Sequence, residues 1–364
     1  MRNQYGLLVR QCSAVLMLVF LAVFLNGCSD DSFADIGDDD SDGNGSPATP
    51  FTLAEQGSFF VGGETKTRGD DDEITINQMY VEYQKPWVTA EGVPIVFTHG
   101  CCLSSKTWET TPDGRMGWAE YFVQLGHSVY LTDQVSRARS GFDATPFNQV
   151  RAGEAAPETQ PSINQASHQF AWSVFRFGPF EEPYEDLQYP IEAVDELYKQ
   201  MMPDLNSGLP EQNPTWANLA ELSEDAGGAV LVGHSQSGLY PFHAALINPE
   251  HVKAVINIEA GGTCHENFGV SEDGDTTEQQ LETLASMPVL MMYGDYLDRL
   301  GGTWQDAFED CQQLVQEIND AGGNATMMHL PELGITGNSH MMMQARNNLE
   351  IADLIEQWIE QNVE

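Results

Sequence analysis

One short motif constrains the fold of this 364-residue chain more than any other feature. Residues 229–232 (AVLV) form an aliphatic run of the kind that is buried on both faces of a parallel sheet, and the sequence GHSQSG at 233–238 follows at once. A helix-compatible stretch, LYPFHAALI, comes next. The GHSQSG turn is close to the G-x-S-x-G pattern, with Ser237 in place of the last glycine and Gly238 after it. A strand, such a turn and a helix in this order expose a serine hydroxyl at the edge of a sheet, so we predict that Ser235 is a nucleophile.

Short apolar runs alternate with helix-like segments along most of the remaining chain. The helical spacing of residues 348–362 predicts a C-terminal helix, and the runs predict strands at 74–83, 94–99, 128–132, 229–233, 252–258, 289–293 and 325–330. This alternation is typical of an α/β fold with a mostly parallel central sheet and helices on both faces. We expect one domain at 51–364, with an inserted partial cap at about 141–213, where prolines and aromatic residues interrupt the pattern.

The first 50 residues differ from the rest. An apolar run at 14–25 ends in Leu25-Asn26-Gly27-Cys28, which resembles the lipobox of bacterial lipoproteins. It predicts a lipoprotein signal peptide at 1–27 and a lipidated Cys28; an ordinary signal peptide or an uncleaved anchor is the alternative. Residues 28–50 are acidic and rich in Gly, Ser and Pro, which predicts a flexible tether. The expected location is the cell envelope, and the outer membrane in a Gram-negative host.

The charge balance excludes several classes of partner. Fifteen basic and 55 acidic residues give a net charge of −40, and loss of residues 1–27 removes two arginines and no acid, which gives −42. Such a chain repels nucleic acid and anionic lipid, so the N-terminal lipid anchor is the one membrane contact we expect. Because the part of the sequence expected to fold, 51–364, contains no D-x-D-x-D-G calcium-loop pattern and no histidine pair of metal-ligand spacing, we expect no metal and no cofactor.

A candidate base lies near the C-terminus. In the chain order of this strand–turn–helix fold, the catalytic histidine follows the last strand. His340 lies in a loop just past 325–330, whereas His329 falls inside that predicted strand. We therefore expect the neutral imidazole of His340 to take the proton of Ser235 and return it to the leaving alcohol.

Two positions compete for the acid that orients this histidine. One follows strand 289–293 and would be Asp295 or Asp298. The other is Glu259, which ends the apolar run 252–258 and precedes Ala-Gly-Gly. A buried carboxylate needs a partner, and the N–H of His340 could supply it, so the residues alone leave both positions open.

The turn after strand 94–99 supplies a further set of candidates. It reads His99-Gly100-Cys101-Cys102, and a backbone N–H at this point commonly completes an oxyanion hole with the N–H that follows the nucleophile. The donors would be the N–H groups of Cys101 and Gln236. A thiol nucleophile at Cys101 or Cys102 is the rival role. With Cys264 and Cys311, four cysteines remain in the domain, and spacing allows three pairings.

These segments together resemble α/β-hydrolases. Within that superfamily they resemble the bacterial esterases that carry a vicinal Cys-Cys disulfide beside the active site. The resemblance rests on HGCCL at 99–103, WETTPDGRMGW at 108–118, EAG at 259–261 and NSHMMM at 338–343. It implies an α/β-hydrolase fold, disulfides Cys101–Cys102 and Cys264–Cys311, and Glu259 rather than Asp295 as the acid.

The expected activity is hydrolysis of a small-molecule carboxylic ester with an apolar part, through an acyl-enzyme on Ser235 with His340 as base and Glu259 as acid. Two alternatives remain. An acyltransferase would use the same triad and prefer an alcohol or amine acceptor. A non-catalytic surface lipoprotein would use the hydrolase scaffold for binding only.

Overall fold

The computed structural model describes residues 52–68, 71–87, 92–268, 277–299 and 301–363. The predicted signal peptide, the tether and the lipidated Cys28 lie outside the described residues. None of the helices in the described ranges combines the length and the apolar character that crossing a bilayer requires.

The described residues form one eight-stranded sheet in the order β1-β2-β4-β3-β5-β6-β7-β8. The pairs β1/β2 and β2/β4 are antiparallel, and the other five are parallel. The strands are β1 (Leu53–Thr67), β2 (Glu73–Pro86), β3 (Ile95–Thr98), β4 (Val129–Asp133), β5 (Ala229–Ser235), β6 (Val252–Ala260), β7 (Pro288–Tyr293) and β8 (Asn324–His329). The predicted mostly parallel α/β-hydrolase sheet is confirmed, and β1 is a strand that the pattern did not predict.

Helices cover both faces of this sheet. They are α1 (Trp118–Gln124), α2 (Thr145–Ala152), α3 (His168–Val174), α4 (Val194–Gln200), α5 (Pro214–Asp225), α6 (Tyr240–Ile247), α7 (Cys264–Asn267), α8 (Glu278–Ala285), α9 (Thr303–Asp320) and α10 (Asn348–Asn362). Consecutive side chains of β5 point to opposite faces, so Val230 and Val232 join the apolar layer with α1 and α10, whereas Ala229 and Leu231 join the layer with α5, α6 and α9. This two-sided burial explains the uninterrupted aliphatic run before the GHSQSG turn.

Residues 141–213 contain α2, α3 and α4 and join the segment between β8 and α10 through backbone hydrogen bonds. The N–H of Gln188 donates to the carbonyl of Gly337 at 2.8 Å, and the N–H of Arg346 donates to the carbonyl of Gln188 at 2.7 Å. The N–H of His340 donates to the carbonyl of Phe175 at 3.2 Å. The insert therefore holds the loop that carries His340.

Candidate active site

Ser235 ends β5 in a conformation that most residues avoid. Its φ is 56°, in the left-handed region. The turn is tight: a Cβ at Gly233 would lie 2.1 Å from the Ser237 carbonyl oxygen, and one at Gly100 would lie 2.8 Å from the Cβ of Ser235. Only glycine fits at either place. The strained turn lifts the half-buried Ser235 out of the sheet just before α6 begins at Tyr240.

Glu259 and His340 form a fully buried pair. The Nδ1–H of His340 donates to Oε2 of Glu259 at 2.5 Å, and both side chains are inaccessible to solvent. Nε2 of His340 is also buried and has no hydrogen-bond partner among the described residues. Burial lowers the pKa of His340 below its ordinary value although Glu259 opposes this effect, so the imidazole is neutral near pH 7 and Nε2 can accept a proton.

Glu259 lies near the end of β6, and its second carboxylate oxygen, Oε1, also accepts hydrogen bonds. Its φ is 47°. Oε1 accepts hydrogen bonds from Arg176 at 2.6 Å and from the N–H of Gly294 at 2.7 Å. Burial alone would raise the pKa of Glu259, but the charge of Arg176 and the hydrogen bond from His340 lower it well below its ordinary value. The carboxylate is therefore ionised throughout the neutral range.

Asp295, the alternative acid, makes different contacts. Its carboxylate accepts from the N–H of Tyr296 at 2.6 Å and from the N–H of Gly337 at 3.0 Å. Asp298 is largely exposed, with its side chain 78% accessible. The structure brings Glu259 to His340, and it brings neither aspartate to that ring.

Three rings and a backbone contact fix the orientation of His340. The ring of Phe175 lies 5.6 Å from the imidazole centre, that of Trp304 lies 4.3 Å away and that of His234 lies 4.5 Å away. Nε2 of His234 donates to the carbonyl of His340 at 3.0 Å. Burial keeps the pKa of His234 well below its ordinary value, so this neighbour of Ser235 adds no charge.

The predicted oxyanion donors are open. Within the described part of the chain, the backbone N–H of neither Cys101 nor Gln236 makes a hydrogen bond. The side chain of Gln236 is held by Asp204, at 3.0 Å, and by Arg137, at 3.3 Å. Asp204 and Arg137 form a buried ion pair at 2.7 Å, which makes this side of the site rigid.

The cysteines fall into two pairs. A disulfide joins Cys264, the first residue of α7, to Cys311 of α9. Cys101 and Cys102 are free thiols in this structure, with their Sγ atoms 2.8 Å apart, so the bond that the resemblance implies remains a prediction. Sγ of Cys101 also donates to Asp204 at 3.1 Å, and the hydrogen bond with Cys102, burial and the charge of Asp204 raise the pKa of the Cys101 thiol.

Cys101, Cys102 and Asp204 offer ligand atoms within 4.8 Å of one another. This is the one cluster of the described residues whose donor atoms could meet at a metal ion. However, Asp204 is already paired with Arg137, whose guanidinium would repel a cation. The arrangement therefore does not favour a metal.

A cavity of about 530 Å³ opens beside Ser235. The residues that line it carry no formal charge, and most are apolar. They are Cys101, Cys102, Ala166, Phe170, Ser173, Val174, Phe175, Ser235, Gln236, Leu239, Ala260, Gly261, Gly262, Thr303, Trp304 and Ala307. Phe175 and Trp304 also contact the ring of His340, so the histidine lies directly behind the cavity wall.

The sequence prediction missed Arg176, His234 and the pair of Arg137 and Asp204. His234 lies within the GHSQSG segment, at a position to which the motif assigns no role, and no motif marks the other three residues. Arg176 did carry one signal, because it lies between Phe175 and Phe177 in an aromatic run, and an arginine buried in such a run needs an ionic partner.

The sequence and the fold were compared with those of known proteins. No family model matches the chain. A protein named Probable secreted lipase phiG, from Fungal sp. (strain ATCC 74256), is 27% identical over 351 residues, which cover 83% of this chain and 88% of that protein. A solved structure described as a novel bacterial esterase is 42% identical, with a TM-score of 0.80; the match covers 87% of this chain and 99% of the esterase.

Proposed function

The chain belongs to the α/β-hydrolase superfamily, in the family of that bacterial esterase, and from this premise we propose that it hydrolyses esters through an acyl-enzyme on Ser235. It is a carboxylesterase-type hydrolase. The observation that carries the proposed mechanism is the buried pair of Glu259 and His340. The second imidazole nitrogen, Nε2, has no partner among the residues that the structure describes, and it lies behind the wall of the cavity that Ser235 lines. A neutral imidazole held in one orientation by a carboxylate is the base that a serine nucleophile requires in acyl transfer.

The acylation step uses these groups in turn. Oγ of Ser235 attacks the ester carbonyl carbon while Nε2 of His340 takes the hydroxyl proton. The imidazolium that forms is stabilised by the ionised Glu259 at Nδ1. When the tetrahedral intermediate collapses, the bond to the alcohol oxygen breaks and Nε2 gives its proton to that oxygen. Water then repeats the sequence on the acyl-enzyme, releases the carboxylic acid and restores the serine.

The unpartnered N–H groups of Cys101 and Gln236 are the proposed oxyanion donors. Each would donate to the carbonyl oxygen as it gains negative charge, and loss of one such donor costs about 3 kcal/mol in related sites. The ion pair of Asp204 and Arg137 supports this role because it holds the side chain of Gln236 in place.

The cavity indicates the substrate class. Its volume is suited to a small molecule, and its wall contains Phe170, Phe175, Leu239 and Trp304 without a charged side chain among the described residues. We therefore propose a neutral ester with an apolar acyl or alcohol group as the substrate.

The test of the function is hydrolysis of p-nitrophenyl esters with short and medium acyl chains by the full chain, beside Ser235→Ala. We expect the variant to fold and to lose roughly 10⁵-fold or more in kcat. Ser162→Ala, a serine change on the exposed part of the insert, is the matched control and should keep its activity. Full turnover in Ser235→Ala would refute the proposed nucleophile.

A second part of the proposal concerns the paired thiols. The 2.8 Å separation of the Sγ atoms and the resemblance to esterases with a vicinal disulfide support a Cys101–Cys102 bond in the exported protein. Such a bond would stiffen the loop that presents the N–H of Cys101. Thiol titration of the unfolded, unreduced mature protein tests it: no free thiol is expected, and two free thiols would contradict the bond.

We also propose that the chain is exported and anchored by lipid at Cys28. The signal-peptide pattern at 1–27 and the fungal relative, which is named as a secreted lipase, support export. Fractionation of cells that express the full chain or Cys28→Ala tests the anchor. The wild-type protein should sediment with membranes and the variant should not; equal distribution would exclude lipidation at Cys28.

A further inference from the structure

Arg176 lies in the insert, two residues after α3, and reaches the centre of the site. Its side chain is inaccessible to solvent, and its φ of 59° is in the left-handed region. One terminal nitrogen donates to Oε1 of Glu259 at 2.6 Å, and Nε donates to the carbonyl of Asp295 at 3.0 Å. The guanidinium carbon lies 4.9 Å from the ring centre of Trp304, which in turn contacts the ring of His340.

The two oxygens of Glu259 therefore accept hydrogen bonds from different groups. Arg176 and the N–H of Gly294 occupy Oε1, and the Nδ1–H of His340 occupies Oε2. Three donors from three different segments leave the carboxylate one orientation. A buried ion pair contributes little net stability, because desolvation of both charges offsets their attraction. Its geometry is therefore better explained by orientation than by stability.

We propose that Arg176 is a positioning residue of the hydrolytic site, whose guanidinium fixes the Glu259 carboxylate in the orientation that receives the Nδ1–H of His340. This inference rests on the proposed function, since it assigns Glu259 and His340 their roles in ester hydrolysis. It also gives the insert a function beyond covering the cavity, because the insert supplies a group on which the orientation of the triad depends.

The charge of Arg176 has a second, measurable effect. It lowers the pKa of Glu259 and also that of His340. The other titratable groups beside the pair are His234 of β5 and Tyr293 of β7; burial lowers the pKa of the histidine and raises that of the tyrosine, so neither titrates near neutral pH. Removal of the cation should therefore raise the pKa of His340 and move the acid limb of activity to higher pH.

The experiment compares kcat/KM against pH for the full chain and for Arg176→Met and Arg176→Lys, with a neutral p-nitrophenyl ester. We expect Arg176→Met to lose roughly 10- to 100-fold in kcat/KM, as variants of supporting residues at other catalytic centres do. Its acid limb should move up by about one pH unit. Arg176→Lys keeps the positive charge but lacks the planar guanidinium group. It should therefore lose activity while the midpoint of the acid limb of kcat/KM changes little.

Arg346→Met is the matched control. Arg346 also joins the insert to the loop of His340, through the carbonyls of Leu187 and Tyr189 and the carboxylate of Glu192, and it does not contact the triad. In this variant the acid limb of kcat/KM should have the same midpoint as in the wild-type enzyme. An unshifted limb in Arg176→Met, or wild-type kcat in Arg176→Lys, would overturn the inference. If Arg176→Met does not fold, Arg176→Lys alone decides.

Failure of the proposed function has a different signature. If Ser235→Ala keeps its activity, the triad itself is wrong. If Ser235→Ala is inactive while both Arg176 variants match the wild-type enzyme, the esterase mechanism stands and only the role of Arg176 is excluded.

Discussion

Two carboxylates lie at the ends of neighbouring strands, Glu259 near the end of β6 and Asp295 just after β7, and backbone geometry decides which one meets the histidine. Glu259 has a positive φ at the end of β6 and directs its carboxylate to His340. Asp295, after β7, accepts hydrogen bonds from the N–H groups of Tyr296 and Gly337. Glu259 can therefore stabilise an imidazolium, whereas Asp295 stabilises the loop that leads to it.

This difference predicts unequal effects of two conservative substitutions. Glu259→Gln should lower kcat by roughly 10³- to 10⁴-fold, because a neutral amide neither stabilises the imidazolium nor enforces the correct tautomer. Asp295→Asn should lower kcat less than about tenfold, since it changes a loop contact and not a contact of His340. Steady-state kinetics of the two variants, with circular dichroism as a check of folding, measures the contrast. A large loss in Asp295→Asn with a small one in Glu259→Gln would assign the acid to Asp295.

The buried imidazole also predicts the pH dependence. In the proposed mechanism the neutral form of His340 is the active one, so activity should be full above its pKa and fall as the pH drops through it. Burial lowers this pKa below the ordinary value of about 6.5, so the acid limb of kcat/KM should have its midpoint below that pH. A pH profile with a neutral ester checks this. A midpoint above about 7 would show that the imidazole is more solvated than its burial indicates.

At the scale of whole elements, the sequence predicts every strand of the sheet except the most exposed one, β1. Strands β3 and β5 are continuous apolar runs because helices cover both of their faces. Strand β1 is at the edge of the sheet, and most of its residues are exposed, including glycines and charged residues that disfavour strands. Its antiparallel pairing with β2, rather than its composition, makes it a strand.

In the candidate active site, the sequence locates the residues that belong to a motif or follow the chain order of the fold, and it does not locate the others. Ser235 and His340 could be predicted because the motif and the chain order of this fold locate them. The choice between Glu259 and Asp295 could not be made from the pattern, because it depends on local φ and on which carboxylate is already occupied. Arg176 could not be placed either, since it reaches Glu259 across 83 residues from an irregular insert without a motif.

The disulfide between α7 and α9 predicts a stability effect at this scale. It closes a loop with a sequence separation of 47, for which the loss of chain entropy in the unfolded state gives about 4 kcal/mol of stabilisation. Cys264→Ala/Cys311→Ala should therefore unfold at clearly lower urea concentration, with an m-value equal to or larger than that of the wild type, because the unfolded chain without the bond is less compact. Urea unfolding of the double variant and the wild-type protein, both without reductant, measures the difference. A midpoint unchanged from the wild type would show that the bond does not constrain the unfolded chain.

For the molecule as a whole, the net negative charge of the chain and the uncharged lining of the cavity both disfavour anionic substrates. The chain carries a net charge of −40, which repels anions at long range. At short range, the described lining of the cavity includes no cationic side chain that could pair with a carboxylate in the substrate. An anionic ester would therefore meet repulsion on approach and would have to lose its hydration without compensation on binding.

The prediction is a preference for neutral over anionic esters of equal length. The p-nitrophenyl ester of hexanoate and the mono-p-nitrophenyl ester of adipate differ by a terminal carboxylate, and we expect the second to have a kcat/KM lower by about tenfold or more at low salt. The long-range part of this difference should shrink as salt shortens the Debye length to about 10 Å at 0.1 M, while the part due to desolvation should persist. Kinetics of both esters across a salt series separates the two parts. Equal kcat/KM values at low salt would mean that a cation not among the described lining residues reaches the substrate, and the neutral-ester assignment would then be wrong.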